Sequence, residues 1–236
     1  MGSFSYSPEI VERFPTIRSG VIHATGLVNG PSPDGLLDEC RAGQRSVIDE
    51  LRETPLSEIP GIAAWRRAFT AFGVKPTQYR SAAESLLRRL TKLGDIPSIN
   101  VLVDIANLVS IRHQLPVAVF DQRAVTGSTT VRFATGDELF TDLGTVATSS
   151  PERGEVIFVD DASLVSARRW CWRQSAQSAA GTGTVEALIT VESQHDESGV
   201  SVRQATEALL GLLEKHLETA STSHGFLSPE SPRFEF

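Results

Sequence analysis

Residues Ile99–Asp121, INVLVDIANLVSIRHQLPVAVFD, decide how the chain is read, because a helical pattern passes within a few residues into a strand pattern. Asn100, Asp104 and Asn107 are spaced as one helical stripe, with Ser110 three residues further on, while Val101, Ile105, Leu108 and Val109 take the opposing face. Exposed helix faces ordinarily carry Lys and Glu. Amides and a short carboxylate are poor helix formers because their side chains compete for nearby backbone groups, so a stripe of them points to partners other than water. The stripe reads as the wall of a site. A structural alternative stands beside that reading: Asn100 as an N-cap, Asp104 bonding a neighbouring loop, and Asn107 satisfying a buried backbone group.

Working outward, Ser81 and Glu84 form an S-x-x-E capping box ahead of the stripe Leu86, Leu87, Leu90 and Leu93, and Gly94 ends that helix. The segment IAAWRRAFTAF stops at Gly73, and a further helix runs from Asp34 to about Arg52, before Pro55 and Pro60. Phe14–Leu27 reads as a strand, followed downstream by Pro116–Asp121, Thr129–Phe133, Glu155–Val159 and Val185–Ser193. Ser201–Glu218 is amphipathic and closes the fold as a helix. This order predicts an α+β architecture, a layered mixed β-sheet core with flanking helices. Residues 1–60 read as an N-terminal strand-and-helix extension packed on a main domain at 61–220, and the Ser/Pro-rich stretch 221–236 as a flexible tail.

The chain has 236 residues, 40% of them hydrophobic, enough for one sizeable core. No apolar run approaches the roughly 18 residues a spanning helix requires, and the first residues lack the basic-then-apolar order of a secretory signal, so a cytoplasmic protein is expected, with no membrane partner. Cys40 and Cys171 belong to no ligand spacing and the five histidines are scattered, so neither a metal nor a cofactor is expected. A net charge of −7 excludes a protein that coats DNA or RNA by charge alone. The distribution is uneven, however: between Gly61 and Val125 nine basic residues face four acidic ones. That local basic face is either a solvated surface or a contact for a phosphate backbone.

Three blocks, Trp65–Leu90, Ile99–Asp121 and Val156–Ser175, together resemble the free-standing relatives of the B3/B4 domain of the phenylalanyl-tRNA synthetase β subunit. In the synthetase that domain is the editing module, which hydrolyses tyrosine wrongly esterified to the phenylalanine tRNA. The family pattern N-x-x-x-D-x-x-N is met by Asn100, Asp104 and Asn107, and its following strand by Pro116, Phe120 and Asp121. The resemblance implies that Asn107 is the editing-site asparagine and that Glu192 is the carboxylate reading the hydroxyl of the misplaced amino acid. Ala118 stands where the family carries a histidine, so one polar group of the editing site is missing.

Hydrolysis of an aminoacyl ester starts from an activated bond, so oriented water and a stabilised oxyanion suffice without a Ser or Cys nucleophile. No G-x-S-x-G elbow is present. The candidate catalytic residues are therefore Asn107 and Asn100, orienting substrate or water, with Asp104 fixing those amides, and Glu192 accepts a hydrogen bond from the substrate. In ARRWCWRQ, strand alternation would put Arg169, Cys171 and Arg173 on one face and Arg168, Trp170, Trp172 and Gln174 on the other. That density of guanidinium and indole groups suits phosphate clamping and stacking on a terminal adenosine, the alternative being a cation–π packed edge of the core. Tyr79 and Arg80 precede the capped helix and add a candidate anion contact. The expected function is trans-editing of a mischarged tRNA, the partner being its aminoacylated 3′ end. A non-catalytic RNA-binding module and a pocket for a free amino acid are the alternatives. The first reading requires Asn107, Glu192 and the Trp170–Gln174 segment to meet at one cavity.

Overall fold

The computed structural model describes residues 2–195, 198–217 and 221–236. Its elements are β1 (Ser3–Tyr6), α1 (Pro8–Arg13), β2 (Arg18–Thr25), α2 (Asp34–Glu50), α3 (Pro60–Ala71), α4 (Ala82–Leu93), α5 (Val101–His113), β3 (Val117–Asp121), β4 (Thr129–Phe133), β5 (Phe140–Thr141), β6 (Thr148–Ser149), β7 (Val156–Asp160), β8 (Val165–Arg168), β9 (Arg173–Gln174), β10 (Glu186–Ser193), α6 (Ser198–His216), β11 (Ser221–Leu227) and β12 (Arg233–Glu235). A six-stranded sheet has the order β12-β1-β4-β7-β8-β9, a four-stranded sheet the order β11-β2-β10-β3, and β5 pairs with β6. This is the layered α+β architecture expected. Among the described residues no helix is long and apolar enough to cross a membrane.

Within the four-stranded sheet β10 is buried on both faces, which is why its sequence reads as a continuous apolar run, ALITV. Ala187, Ile189 and Val191 pack against Val101, Ile105 and Val109 of α5 and Val202, Ala205 and Leu209 of α6. Leu188 faces the other way, into a cluster with Phe4 of β1, Phe158 of β7, Phe120 of β3 and Trp65 and Phe69 of α3. With a period of two, Thr190 and Glu192 share Leu188's face, between the two sheets. Gly20 lets α6 lie close to β2, since a Cβ there would stand 1.9 Å from the Thr206 Oγ1.

Local signals hold where they are strong. Ser81 Oγ accepts from Glu84 N at 3.2 Å, and Gly94 takes the left-handed conformation that ends α4. The reciprocal half of the capping box does not form, because the buried Glu84 carboxylate instead accepts two hydrogen bonds from Arg66, at 3.0 and 2.6 Å.

The stretch 221–236 is not a loose tail. β11 pairs with β2 from Ser221↔Thr25 to Leu227↔Ser19, β12 pairs with β1, and Gly2 and Phe236 exchange two backbone hydrogen bonds. Its polar, Ser/Pro-rich composition misleads because both strands sit at sheet edges, where backbone pairing and a few anchors suffice. Phe226, Phe234 and Phe236 pack partly buried on the core, and Leu227 is the fully buried anchor, 2% exposed among the aromatic residues between the sheets. Leu227→Ala is therefore expected to cost about 2–5 kcal/mol in urea denaturation. A disordered tail would show a change within roughly 0.5 kcal/mol.

Candidate active site

The Glu192 carboxylate is 2% exposed, and its position on the inward face of β10 takes it out of water. A buried charge needs donors. Oε1 receives two of them: the Tyr6 hydroxyl from β1 at 2.5 Å and the Trp170 indole N–H at 2.9 Å. No hydrogen bond among the described residues reaches Oε2. Burial raises the Glu192 acid to about 7, the Trp170 and Tyr6 hydrogen bonds offsetting part of that rise. The same burial, with the negative charge beside it, pushes the Tyr6 phenol and the Cys171 thiol upward, so both stay protonated.

Trp170 reaches Glu192 only because the chain turns sharply. Arg169 and Trp170 have φ of 45° and 61°, two consecutive left-handed residues that cost roughly 1–2 kcal/mol each. The turn is held from several sides: Trp170 N donates to Val156 O at 2.6 Å, Ala82 N at the start of α4 donates to Cys171 O at 2.7 Å, and the indole packs edge-on against Phe14 and Trp65 at 5.0 and 5.2 Å. The turn also breaks the alternation expected for ARRWCWRQ. Trp170 goes to the core, while Trp172, Arg173 and Gln174 line a cleft of about 70 Å³ with Glu192. Its apolar walls include Ala118, Phe120 and Phe158. Ala118 lies opposite Thr190 in the β3–β10 register, and Glu192 N bonds Pro116 O, so Ala118 and Glu192 are diagonal neighbours on one face.

The guanidinium groups expected to clamp a phosphate are paired with carboxylates of the fold. Arg169 is 6% exposed, pairs with Glu155 at 2.9 Å and lies over the Tyr79 and Trp172 rings at 4.0 and 4.8 Å. Arg168 also pairs with Glu155, at 2.6 Å. Arg173 pairs with Asp142 at 2.7 Å and stacks on Trp172 at 4.7 Å. Gln174 Nε2 donates to the backbone of Val119 and Ser178. Arg80 lies 3.4 Å from Glu84 and donates to Thr77 O, so it is not held ready beside the start of α4. This segment is the cation–π packed edge of the core.

The polar stripe of α5 is separated from Glu192 by the thickness of the four-stranded sheet. α5 packs on the face carrying Ile189 and Val191, and Glu192 projects from the other. Asn100 is the N-cap of α5: its Oδ1 accepts from Val103 N at 3.1 Å and its Nδ2 donates to Ala180 O at 3.1 Å. Asp104 accepts from Ile99 N at 2.9 Å, from Ser32 Oγ at 2.6 Å and from Ser98 Oγ, tying down the loop before the helix. Asn107 lines a different cleft, facing α2. The grouping of Asn100, Asp104 and Asn107 with Glu192 in one catalytic set is therefore corrected: a helix stripe and a strand residue packed on opposite faces of one sheet cannot meet. The residue missed is Tyr6, which the sequence offers only as an aromatic in a short N-terminal strand. Among the described residues no group of three or more His, Cys, Asp and Glu side chains is placed to hold a metal ion.

The architecture defines an α+β domain with a carboxylate enclosed between two sheets. The chain belongs to the B3/4 domain family, whose model matches residues 64–217. β1 and β2 precede that span and β11 and β12 follow it, yet all four complete its sheets. A solved N-terminal fragment of the phenylalanyl-tRNA synthetase β-subunit from Pyrococcus horikoshii is similar over 94% of this chain, at 11% identity and a TM-score of 0.47. The chain spans 50% of that fragment. No curated protein matches the chain.

The raised acid of Glu192 has a stability consequence. Its folded value, about 7, lies above the 4.5 of an unperturbed Glu, so the folded state holds a proton that the unfolded state has released. The contribution of Glu192 to stability is then full below pH 4.5 and falls by roughly 3 kcal/mol as pH rises to about 7. Glu192→Gln, which keeps an acceptor for Tyr6 and Trp170, should remove this slope and be the more stable form at pH 8 in urea denaturation. Parallel pH profiles for the two proteins would contradict the assignment.

Proposed function

We propose that the chain is an aminoacyl-tRNA deacylase that takes the amino-acid end of a charged tRNA into the Glu192 cleft. The observation that carries this reading is the division of labour within one carboxylate: Oε1 is held by Tyr6 and Trp170, and Oε2 has no partner among the described residues at the cleft. Membership of the B3/4 domain family supports it. In the step envisaged, a water molecule gives its proton to Oε2 as its oxygen attacks the ester carbonyl carbon. The bond to the ribose oxygen then breaks, and that oxygen takes the proton back from Oε2. Free carboxylic acid and uncharged tRNA result. A base near 7 suits this work at neutral pH, because it is ionised in a large fraction of molecules and still strong enough to accept a proton.

The cleft also speaks to the acyl group. At about 70 Å³ it is smaller than the roughly 150 Å³ cavity that accepts benzene, so it favours a short side chain over an aromatic one. Among the described residues Glu192 is the one carboxylate lining the cleft. A substrate donor meeting Oε2 is rewarded, and one lacking it leaves a buried acceptor unpaired. Since Arg169 and Arg173 are paired with carboxylates, the tRNA backbone is met by few groups. Lys75 and Arg153, at the neighbouring cleft beside Tyr79, make no ion pair with a described residue.

The test is release of amino acid from a panel of aminoacyl-tRNAs with alanyl, seryl, threonyl and tyrosyl groups. We expect acceleration for at least one of the short side chains and a loss of about 100-fold or more in Glu192→Gln. The rate should rise with pH and level off above about 7. Binding of uncharged tRNA should weaken with salt no more steeply than a slope of about −2. No acceleration for any member of the panel, or full activity in Glu192→Gln, would overturn the proposal. Steep salt dependence without hydrolysis would make the chain an RNA-binding module.

A further inference from the structure

The polar stripe of α5 leaves one group unused. The Asn107 side chain makes no hydrogen bond with a described residue, and it lines a cleft of about 200 Å³ between α2, α5 and residues 95–98, across the four-stranded sheet from Glu192. The floor is apolar, formed by Leu37 and Cys40 of α2 and Leu108 and Ile111 of α5. Burial and the nearby Asp104 charge hold the Cys40 thiol at about 11, so it contributes as a small apolar group.

The third wall is fixed in place. Gln44 accepts from Ile96 N at 3.0 Å and donates to Ile96 O at 3.2 Å, a two-point tie between α2 and that loop. Asp104 pins the same loop at Ser98 and Ile99. The cleft is therefore framed by rigid parts and needs no closure to exist.

Its lining carries three charges: Asp104 is taken up by Ser32, Ser98 and Ile99 N, while Arg41 and Asp95, of opposite sign, are weakly engaged. Among the described residues Arg41 pairs only with Asp38, one helical turn away at 2.9 Å, with both side chains more than half exposed. Asp95 lies 4.0 Å from Arg89 in a similarly exposed pair. Exposed pairs of this kind contribute about 0–1 kcal/mol and are readily exchanged for a better partner. A cavity of roughly 150 Å³ accepts benzene, so 200 Å³ has room for a branched aliphatic or phenyl group.

We propose that this cleft is a second ligand site, for a free zwitterionic amino acid with a leucine- or phenylalanine-sized apolar side chain. The side chain occupies the Leu37–Cys40–Leu108–Ile111 floor, the carboxylate is received by Arg41 and the Asn107 amide, and the ammonium faces Asp95. The site stands apart from the proposed deacylase chemistry, because nothing in it depends on Glu192.

The probes are free L-leucine and L-phenylalanine, with 4-methylpentanoate and 3-methylbutylamine as analogues lacking the ammonium and the carboxylate. Binding is followed by the Asn107 side-chain amide resonances in 15N-labelled protein. Saturable shifts are expected in the millimolar range, weakened about tenfold or more in the analogues and in Arg41→Ala, a surface change that leaves the core untouched. Asn107→Leu should also lose binding, read from the Ile111 and Leu108 backbone amides, while Glu192→Gln binds as the parent does. No saturable shift up to about 50 mM for either amino acid, or unaltered binding in Arg41→Ala and Asn107→Leu, would overturn the proposal. Loss of binding in Glu192→Gln would overturn it too, by moving the contact to the other face of the sheet. Deacylation, present or absent, does not enter this readout.

Discussion

A single carboxylate enclosed between two sheets sets the terms for the rest of the molecule. Glu192 sits on a strand buried on both faces, and desolvation of its charge is the largest effect acting on it. The compensating donors come from distant parts of the chain, Tyr6 from the first strand and Trp170 from a left-handed turn. The carboxylate therefore ties the four-stranded sheet to the six-stranded one at the point where the cleft opens. Three expensive features, a buried acid and two strained backbone residues, support one another there. Strain and burial concentrated at one place are what a functional site looks like when the surrounding packing is rigid enough to hold it.

The arginines illustrate how far a charge count is from a surface potential. The middle of the chain is rich in basic residues, but several are engaged internally. Arg66 and Arg80 lie against Glu84, Arg168 and Arg169 against Glu155, Arg132 against Glu138, and Arg123 against Asp121. Glu138 shows the effect most strongly. Burial works against its ionised form, but hydrogen bonds from the Thr135 and Gly136 backbone and from Arg132 outweigh it and lower the acid to about 2. These pairs organise loops and helix ends around the aromatic cluster.

Much of this was legible in the sequence, for physical reasons that can be named. The caps of α4, the apolar run of β10 and the α5-to-β3 passage are local patterns, and each element lies where its pattern puts it. The placing of Ala118 and Glu192 at one cleft was also legible, through the resemblance to the B3/B4 domain. Three things were not. The side of the sheet on which α5 packs is a tertiary choice, and it decided that Asn107 and Glu192 would be kept apart. The left-handed turn at Arg169–Trp170 has no glycine to announce it, so a strand alternation was the natural reading of ARRWCWRQ. The edge strands β11 and β12 are mostly polar and exposed, and they exist because β2 and β1 present unpaired backbone to them.

The most direct measurement is a pH titration of the Glu192 side-chain carbonyl carbon by 13C NMR, in the parent protein and in Tyr6→Phe. With both donors on Oε1 and burial dominating, the midpoint should lie near 7 and move upward when the Tyr6 hydroxyl is removed. A midpoint near 4.5 that ignores Tyr6→Phe would mean that the carboxylate is solvated and free of the two sheets, and the account built on it would be wrong.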